Sequence, residues 1–197
     1  FLGMTATAIV GIGTLIWAAT YLVRSHGLEL HQAGIAAGVA ALVFGSAGTV
    51  LGGALGDRLS KRGLARAAWV PAASGVLSLI AGLVMVSAPT AGIAVAGLMA
   101  WELCFRAYFG PGNNLIMSTV EPRMRGLAAA ASQVATNLIG WGFGPLIVGM
   151  VSDRVGGPDS LRWGIAAALS LGLVSAGLFA AATFAGRGAA NPAAAAA

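Results

Sequence analysis

Residues 52–63 read GGALGDRLSKRG, and within them positions 56–63 gather an aspartate, two arginines, a lysine and a serine. Alanine, glycine, leucine and valine dominate both sides of this stretch. The chain as a whole is 58% hydrophobic and 9% charged, with a mean hydropathy of +0.87. A soluble domain carries about one quarter charged residues. Crossing the ~30 Å hydrocarbon core takes roughly 20 apolar helical residues at 1.5 Å each. Six stretches meet that requirement, near residues 3–23, 31–56, 66–88, 91–119, 126–151 and 161–185. GDRLSKRG is the break between the second and third. The predicted fold class is an all-α membrane protein with six transmembrane helices.

The charges give the chain a direction. Arg58, Lys61, Arg62 and Arg66 in the second loop, Arg123 and Arg125 in the fourth, and Arg187 beyond the last helix fall on one side. Arg24, Arg154 and Arg162 fall on the other. The positive-inside rule then makes both ends cytoplasmic, in a cell inner membrane. The first helix opens at Phe1 without a basic, cleavable leader and is read as a true span. The chain reads as a piece of something longer, with a bundle over 1–186 and a low-complexity tail over 187–197. A pI near 10.7 reflects this topology. It does not indicate a nucleic-acid partner, which would meet a basic face on a soluble surface rather than short loops flush with a bilayer. The single Cys104 excludes a disulfide or thiolate cluster, and His26 and His31 read as solvated loop residues.

On a wheel of 100° per residue, Gly34, Gly38, Gly45, Gly48, Gly52 and Gly56 share one arc of the second helix, about 80° wide. Small residues at this spacing let helices approach closely in lipid. The expected role is close packing, or a bare face that rocks against its neighbour. Asp57 ends this face, and basic residues follow one turn later. A carboxylate so placed can pair across the loop or accept from a helix N-terminus, as a latch between conformations.

GGALGDRLSKRG resembles the signature loop of the major facilitator superfamily, G-x-x-x-D-R/K-x-G-R/K-R/K, between the second and third helices of each six-helix half. Asp57, Arg58, Lys61 and Arg62 match it, with Gly52 and Gly56 beside them in the same gating stretch, and Ser60 stands where the family usually has glycine. Residues 121–156, EPRMRGLAAAASQVATNLIGWGFGPLIVGMVSDRVG, are similar to the tenth-to-twelfth helix region of spinster-like transporters. The resemblance implies helices seven to twelve of a twelve-helix transporter, with an amino-terminal six-helix half as partner. An internal repeat agrees: GALGDRL at 53–59 and GMVSDRV at 149–155 share G-x-x-x-D-R, with Asp57–Arg58 on one side of the membrane and Asp153–Arg154 on the other. Two inverted three-helix repeats require this.

Polar residues concentrate on the first and fourth helices. Thr7, Thr14 and Tyr21 share a face of the first; Glu102, Arg106, Phe109 and Asn113 share one on the fourth; Gln133 and Asn137 join Gly140 and Gly144 on the fifth. The third and sixth read as lipid-facing scaffold. A mid-bilayer charge costs about 2.5–3.5 kcal/mol on insertion scales, so such residues face polar interiors and pair. Glu102 and Arg106, four residues apart, can reach each other. They form either a structural ion pair or a cavity site, in which Arg106 holds an anionic substrate group and Glu102 exchanges a proton as the pair breaks. Pro111 should loosen the helix there. The spinster-like resemblance implies that Glu102 and Phe109 belong to a lipid-binding cavity. Arg106 departs from the aromatic that animal members place there, which points to a more acidic head group.

GIG at 11–13 and GWGFG at 140–144 lack the lysine and strand-to-helix context of a phosphate loop, and no catalytic triad or metal-ligand spacing is present. The expectation is a non-enzyme without cofactors: the carboxy-terminal half of a secondary transporter for a lipid-like or amphiphilic organic molecule in contact with membrane lipids. The alternatives are a drug or small organic-anion exporter of the same superfamily, and a six-helix channel or scaffold.

Overall fold

With no water at bilayer depth to satisfy backbone N–H and C=O groups, an apolar chain can cross only as helix or closed barrel. A computed structural model describes residues 2–157 and 159–189, and all regular structure among them is helical. Six helices are long and apolar enough to cross a membrane. They are α1 (Leu2–His26), α2 (Leu30–Ser60), α3 (Trp69–Val86), α4 (Ala91–Ser118), α5 (Arg125–Val155) and α6 (Ser160–Ala189). The protein is an integral membrane bundle. Helix α6 runs three residues into the expected tail, and 190–197 lie outside the described residues.

The helices pair across the two triplets more than within them. Helix α1 packs mainly on α5 and α6, α4 on α3 and α2, and α3 on α6. Exchanging the first triplet for the second maps this pattern onto itself, which is the arrangement of two inverted repeats. The contacts repeat in detail. Gly48, Gly52 and Gly56 of α2 press on Leu103, Ala107 and Pro111 of α4, while Gly140 and Gly144 of α5 press on Ala8, Ile9 and Gly13 of α1. Gly48 and Gly144 stand as far apart in sequence as Asp57 and Asp153. A serine also joins each of the corresponding helix pairs, at different heights along them. Ser74 of α3 donates to the carbonyls of Cys104 (2.6 Å) and Phe105 (3.2 Å) in α4, and Ser175 of α6 donates to Gly3 of α1 (3.0 Å).

Not every glycine of the α2 arc takes part. Gly34 and Gly38 are exposed and touch nothing, and Ala33, Ala36 and Ala40 are buried in their place. The cause is a π turn over Ala40–Gly45. Its wider loop adds a residue without adding a turn, so the buried stripe steps from Ala40 to Gly45 and everything before it rotates off the arc. The lower end differs too. Helix α2 continues through Asp57 to Ser60, whose hydroxyl donates to the Asp57 carbonyl (2.9 Å). The turn out of the helix falls at Gly63, whose φ of 121° only glycine adopts readily. Serine at position 60 is therefore compatible with a tight exit.

Helix α4 breaks at Ala107 and Tyr108, four residues before Pro111, where the missing proline N–H leaves a carbonyl without its helical partner. Helices α3 and α6 are two-sided. Their outer faces expose Leu77, Ile80, Leu173 and Val174, while their inner faces bury Ser74, Met85, Ile165 and Leu169. They form the back of the bundle, and their apolar outer faces account for the lipid-facing reading.

Candidate functional site

The π turn in α2 lies against Glu102 and Arg106, in the last turns of α4 before its break. Glu102 is fully buried, whereas the Arg106 side chain is 38% exposed, and its Nε donates to Glu102 Oε2 at 3.1 Å. Gly45, in the π turn, makes room for the pair. A Cβ there would lie 3.1 Å from Glu102 Oε2 and 3.4 Å from Arg106 Cγ. The guanidinium carbon sits 5.9 Å from the Phe105 ring centroid, within cation–π range.

The other carboxylate oxygen, Glu102 Oε1, is buried without a hydrogen-bond partner. Buried polar atoms are nearly always satisfied, so an orphan at membrane depth requires a reason. With one oxygen on a partly exposed cation and the other unpartnered, this carboxyl group keeps a free acceptor for a further donor while the ion pair stands.

Phe109 and Asn113 continue the same side of α4. Phe109 is 45% exposed, and Asn113 is half-buried, its Nδ2 donating to the Phe109 carbonyl at 2.8 Å. Gln133 and Asn137 are exposed on α5 and bonded to each other at 3.4 Å. Thr14 is buried, and its Oγ1, like Glu102 Oε1, has no partner. Tyr21 is committed elsewhere. Its hydroxyl reaches the last carbonyls of α3, at Met85 and Val86 (3.1 Å each), and His26 Nε2 at 3.2 Å. It fastens α1 to α3. Thr7 does similar work, bonding Ser175 and the Gly3 carbonyl.

The signature-loop residues gather at one end. Gly52 and Gly56 are buried against α4, and Asp57, Arg58, Lys61 and Arg62 are exposed. Among the described residues the Asp57 carboxylate forms no ion pair; the pairs formed are Glu102–Arg106 and Glu29–His31. At the opposite end Asp153 and Arg154 are exposed on the last turn of α5, beside a Ser152–Ser160 hydroxyl contact of 2.9 Å. No group of His, Cys, Asp and Glu suited to a metal occurs among the described residues.

One feature of the site was missed in the sequence. Trp101, Phe105 and Tyr108 form a buried aromatic ladder on α4, with ring centroids 4.9 and 5.3 Å apart, and Phe105 lies directly on Gly11 of α1. Their spacing of four and three residues is the available signal. The ladder backs the ion pair and holds α1 beside it.

No family model matches the chain. A curated relative, an MFS-type efflux pump of Mycolicibacterium smegmatis (strain ATCC 700084 / mc(2)155), is 25% identical over 153 residues, which is 78% of this chain and 35% of the pump. Among solved structures, the chain is similar to a bacterial homolog of the human lysosomal transporter Spinster in its inward-facing, unoccupied conformation. That match has a TM-score of 0.80 and 23% identity, and covers 94% of this chain and 47% of the other. The occupied, inward-facing form matches with a TM-score of 0.79 and 24% identity, over 92% and 47%. The chain thus has the fold of one half of a major facilitator transporter and spans about half the length of the solved structures it matches.

Proposed function

We propose that this chain is the carboxy-terminal half of a secondary transporter that moves a lipid-like or amphiphilic organic molecule by alternating access, with Glu102 as the proton-exchanging group. The observation that carries the reading is the division of the ion pair: Glu102 sealed with one oxygen unpartnered, Arg106 more than one-third exposed, and Phe109 open on the same side. An acidic head group reaching the guanidinium competes with Glu102 for it. Glu102, losing its cation, takes up a proton, so substrate and proton load together. Phe109 offers an apolar wall to the rest of the molecule. Thr14, Asn113, Gln133 and Asn137 supply polar contacts, and an amino-terminal half supplies the facing wall.

The glycine contacts of α2 on α4 and of α5 on α1 give the moving helices smooth bearings. Gly52, Gly56, Asp57, Arg58, Lys61 and Arg62 at one end, with Asp153 and Arg154 at the other, gate the two sides. Both ends of the chain are assigned to the cytoplasm of an inner membrane from the loop charges. Likeness to the Spinster homolog supports the transporter reading. The efflux-pump relative favours a second one, export of a drug or small organic anion held by the same Arg106.

The test is flux in proteoliposomes holding the complete transporter that contains this chain. Saturable movement of a single-chain anionic lipid, accelerated by a pH gradient and made insensitive to that gradient by Glu102→Gln, is the expected result. A proton response that survives Glu102→Gln would refute the coupling. Faster movement of short organic anions than of the lipid would favour the exporter.

A further inference from the structure

On a different face of α4 from Glu102 and Arg106, helices α2, α3 and α4 enclose an apolar groove of about 440 Å³. That volume lies within the ~300–1,000 Å³ range of small-molecule clefts. Leu51, Leu55, Leu59, Trp69, Leu77 and Cys104 are among its walls, and Gly48 and Gly52 add backbone without side chain. At its loop end it adjoins a second depression of about 470 Å³, lined by Leu55, Arg58, Leu59, Lys61 and Arg62. Leu55 and Leu59 belong to both, so the apolar groove borders a depression lined by three cations. Asp57 lies in the same turn but lines neither.

The dimensions choose the occupant. From Gly48 to Leu59 the groove follows α2 for about 16 Å at 1.5 Å per residue, roughly half of a ~30 Å hydrocarbon core. That is the depth of one leaflet, with the basic residues at its head-group level. A protein helix lying in the groove would fill the apolar part and leave three cations unanswered; an acyl chain with an anionic head answers both.

We infer that this groove is a binding site for an anionic membrane phospholipid, its acyl chain against α2 and α3 and its phosphate held by Arg58, Lys61 and Arg62. The site is separate from the Glu102–Arg106 pair and does not depend on the transport reading. A lipid seated there tethers the α2–α3 loop to the membrane surface.

The experiment places the intact chain in phosphatidylcholine vesicles and adds phosphatidylglycerol with brominated chains. Quenching is read from Trp69 as the difference between the wild type and Trp69→Phe. Quenching should saturate, at a mole fraction about ten-fold lower than brominated phosphatidylcholine requires, as expected when several cations meet one anionic lipid. The triple substitution Arg58→Gln, Lys61→Gln, Arg62→Gln, all at exposed positions, should bring the two curves together. Ala73→Phe, which fills the groove and keeps the charges, should lower quenching by both lipids. Superimposed curves for the wild type, or a preference that survives the triple substitution, would overturn the inference. Relief of quenching by soluble glycerol phosphate would overturn it too, since the loop would then be a phosphate site without a lipid. So would protection of Trp69 from both brominated lipids, which would mean that protein covers the groove.

Discussion

The carbonyl oxygen of Ala107 faces Gly52 so closely that a Cβ on Gly52 would stand 2.1 Å from it. That carbonyl lacks its helical partner because Pro111, four residues on, has no N–H. The kink in α4 and the bare face of α2 are therefore one feature seen from two sides.

Gly52→Ala should force α2 away from α4 and lower the stability of the bundle by about 1–3 kcal/mol, the usual cost of overpacking. Gly48→Ala, whose Cβ would also come within 2.1 Å of a backbone oxygen, should behave alike. Gly34→Ala and Gly38→Ala meet open space and should be neutral or stabilise the helix by up to ~1 kcal/mol. Reversible unfolding in mixed micelles measures all four.

Arg106→Met leaves the Glu102 carboxylate sealed without a cation. Fully buried pairs lose about 3–5 kcal/mol on such a change. Here Arg106 is 38% exposed, and roughly 2 kcal/mol is expected. Adding Glu102→Gln to Arg106→Met should recover most of the loss. A double-mutant cycle with no coupling between the two would contradict the geometry.

Ser74→Ala and Ser175→Ala each remove an inter-helix bond to a backbone carbonyl. Such bonds average about 0.6 kcal/mol in membrane bundles, with a maximum near 1.7. The two sites share no partner, so their effects should add.

How much of this could be read beforehand follows from which physical rule governs each feature. The six spans were legible because the bilayer fixes their length. The Glu102–Arg106 contact was legible because helical spacing alone brings the two side chains together. Hydropathy alone ends α2 at 56 and α5 at 151, short of Ser60 and Val155, because the charged residues there read as loop although they continue the helix. The glycine arc was half right. A wheel with a constant angle cannot register the five-residue step from Ala40 to Gly45, so it puts Gly34 and Gly38 on the packed side although they face open space. Ser74 and Ser175 looked like scattered polar residues, since their partners are carbonyls of another helix and become visible only once the pairing is known.

Asp57→Asn should leave the unfolding midpoint of this chain unchanged, because the carboxylate has no ion-pair partner among the described residues. The same change in the complete transporter should slow flux severalfold if Asp57 is the latch. Equal loss of stability and flux would mean that Asp57 supports the fold.

The pairing of α1 with α5, and of α2 with α4, bears on biosynthesis. As the chain leaves the ribosome, its first three helices enter the membrane before their main mates have been made, and Gly48, Gly52 and Gly56 meet lipid where they will later meet α4. A nascent chain halted after α3 should therefore be open to site-specific cross-linking with insertion machinery at those glycines, and closed to it once α4 has been translated.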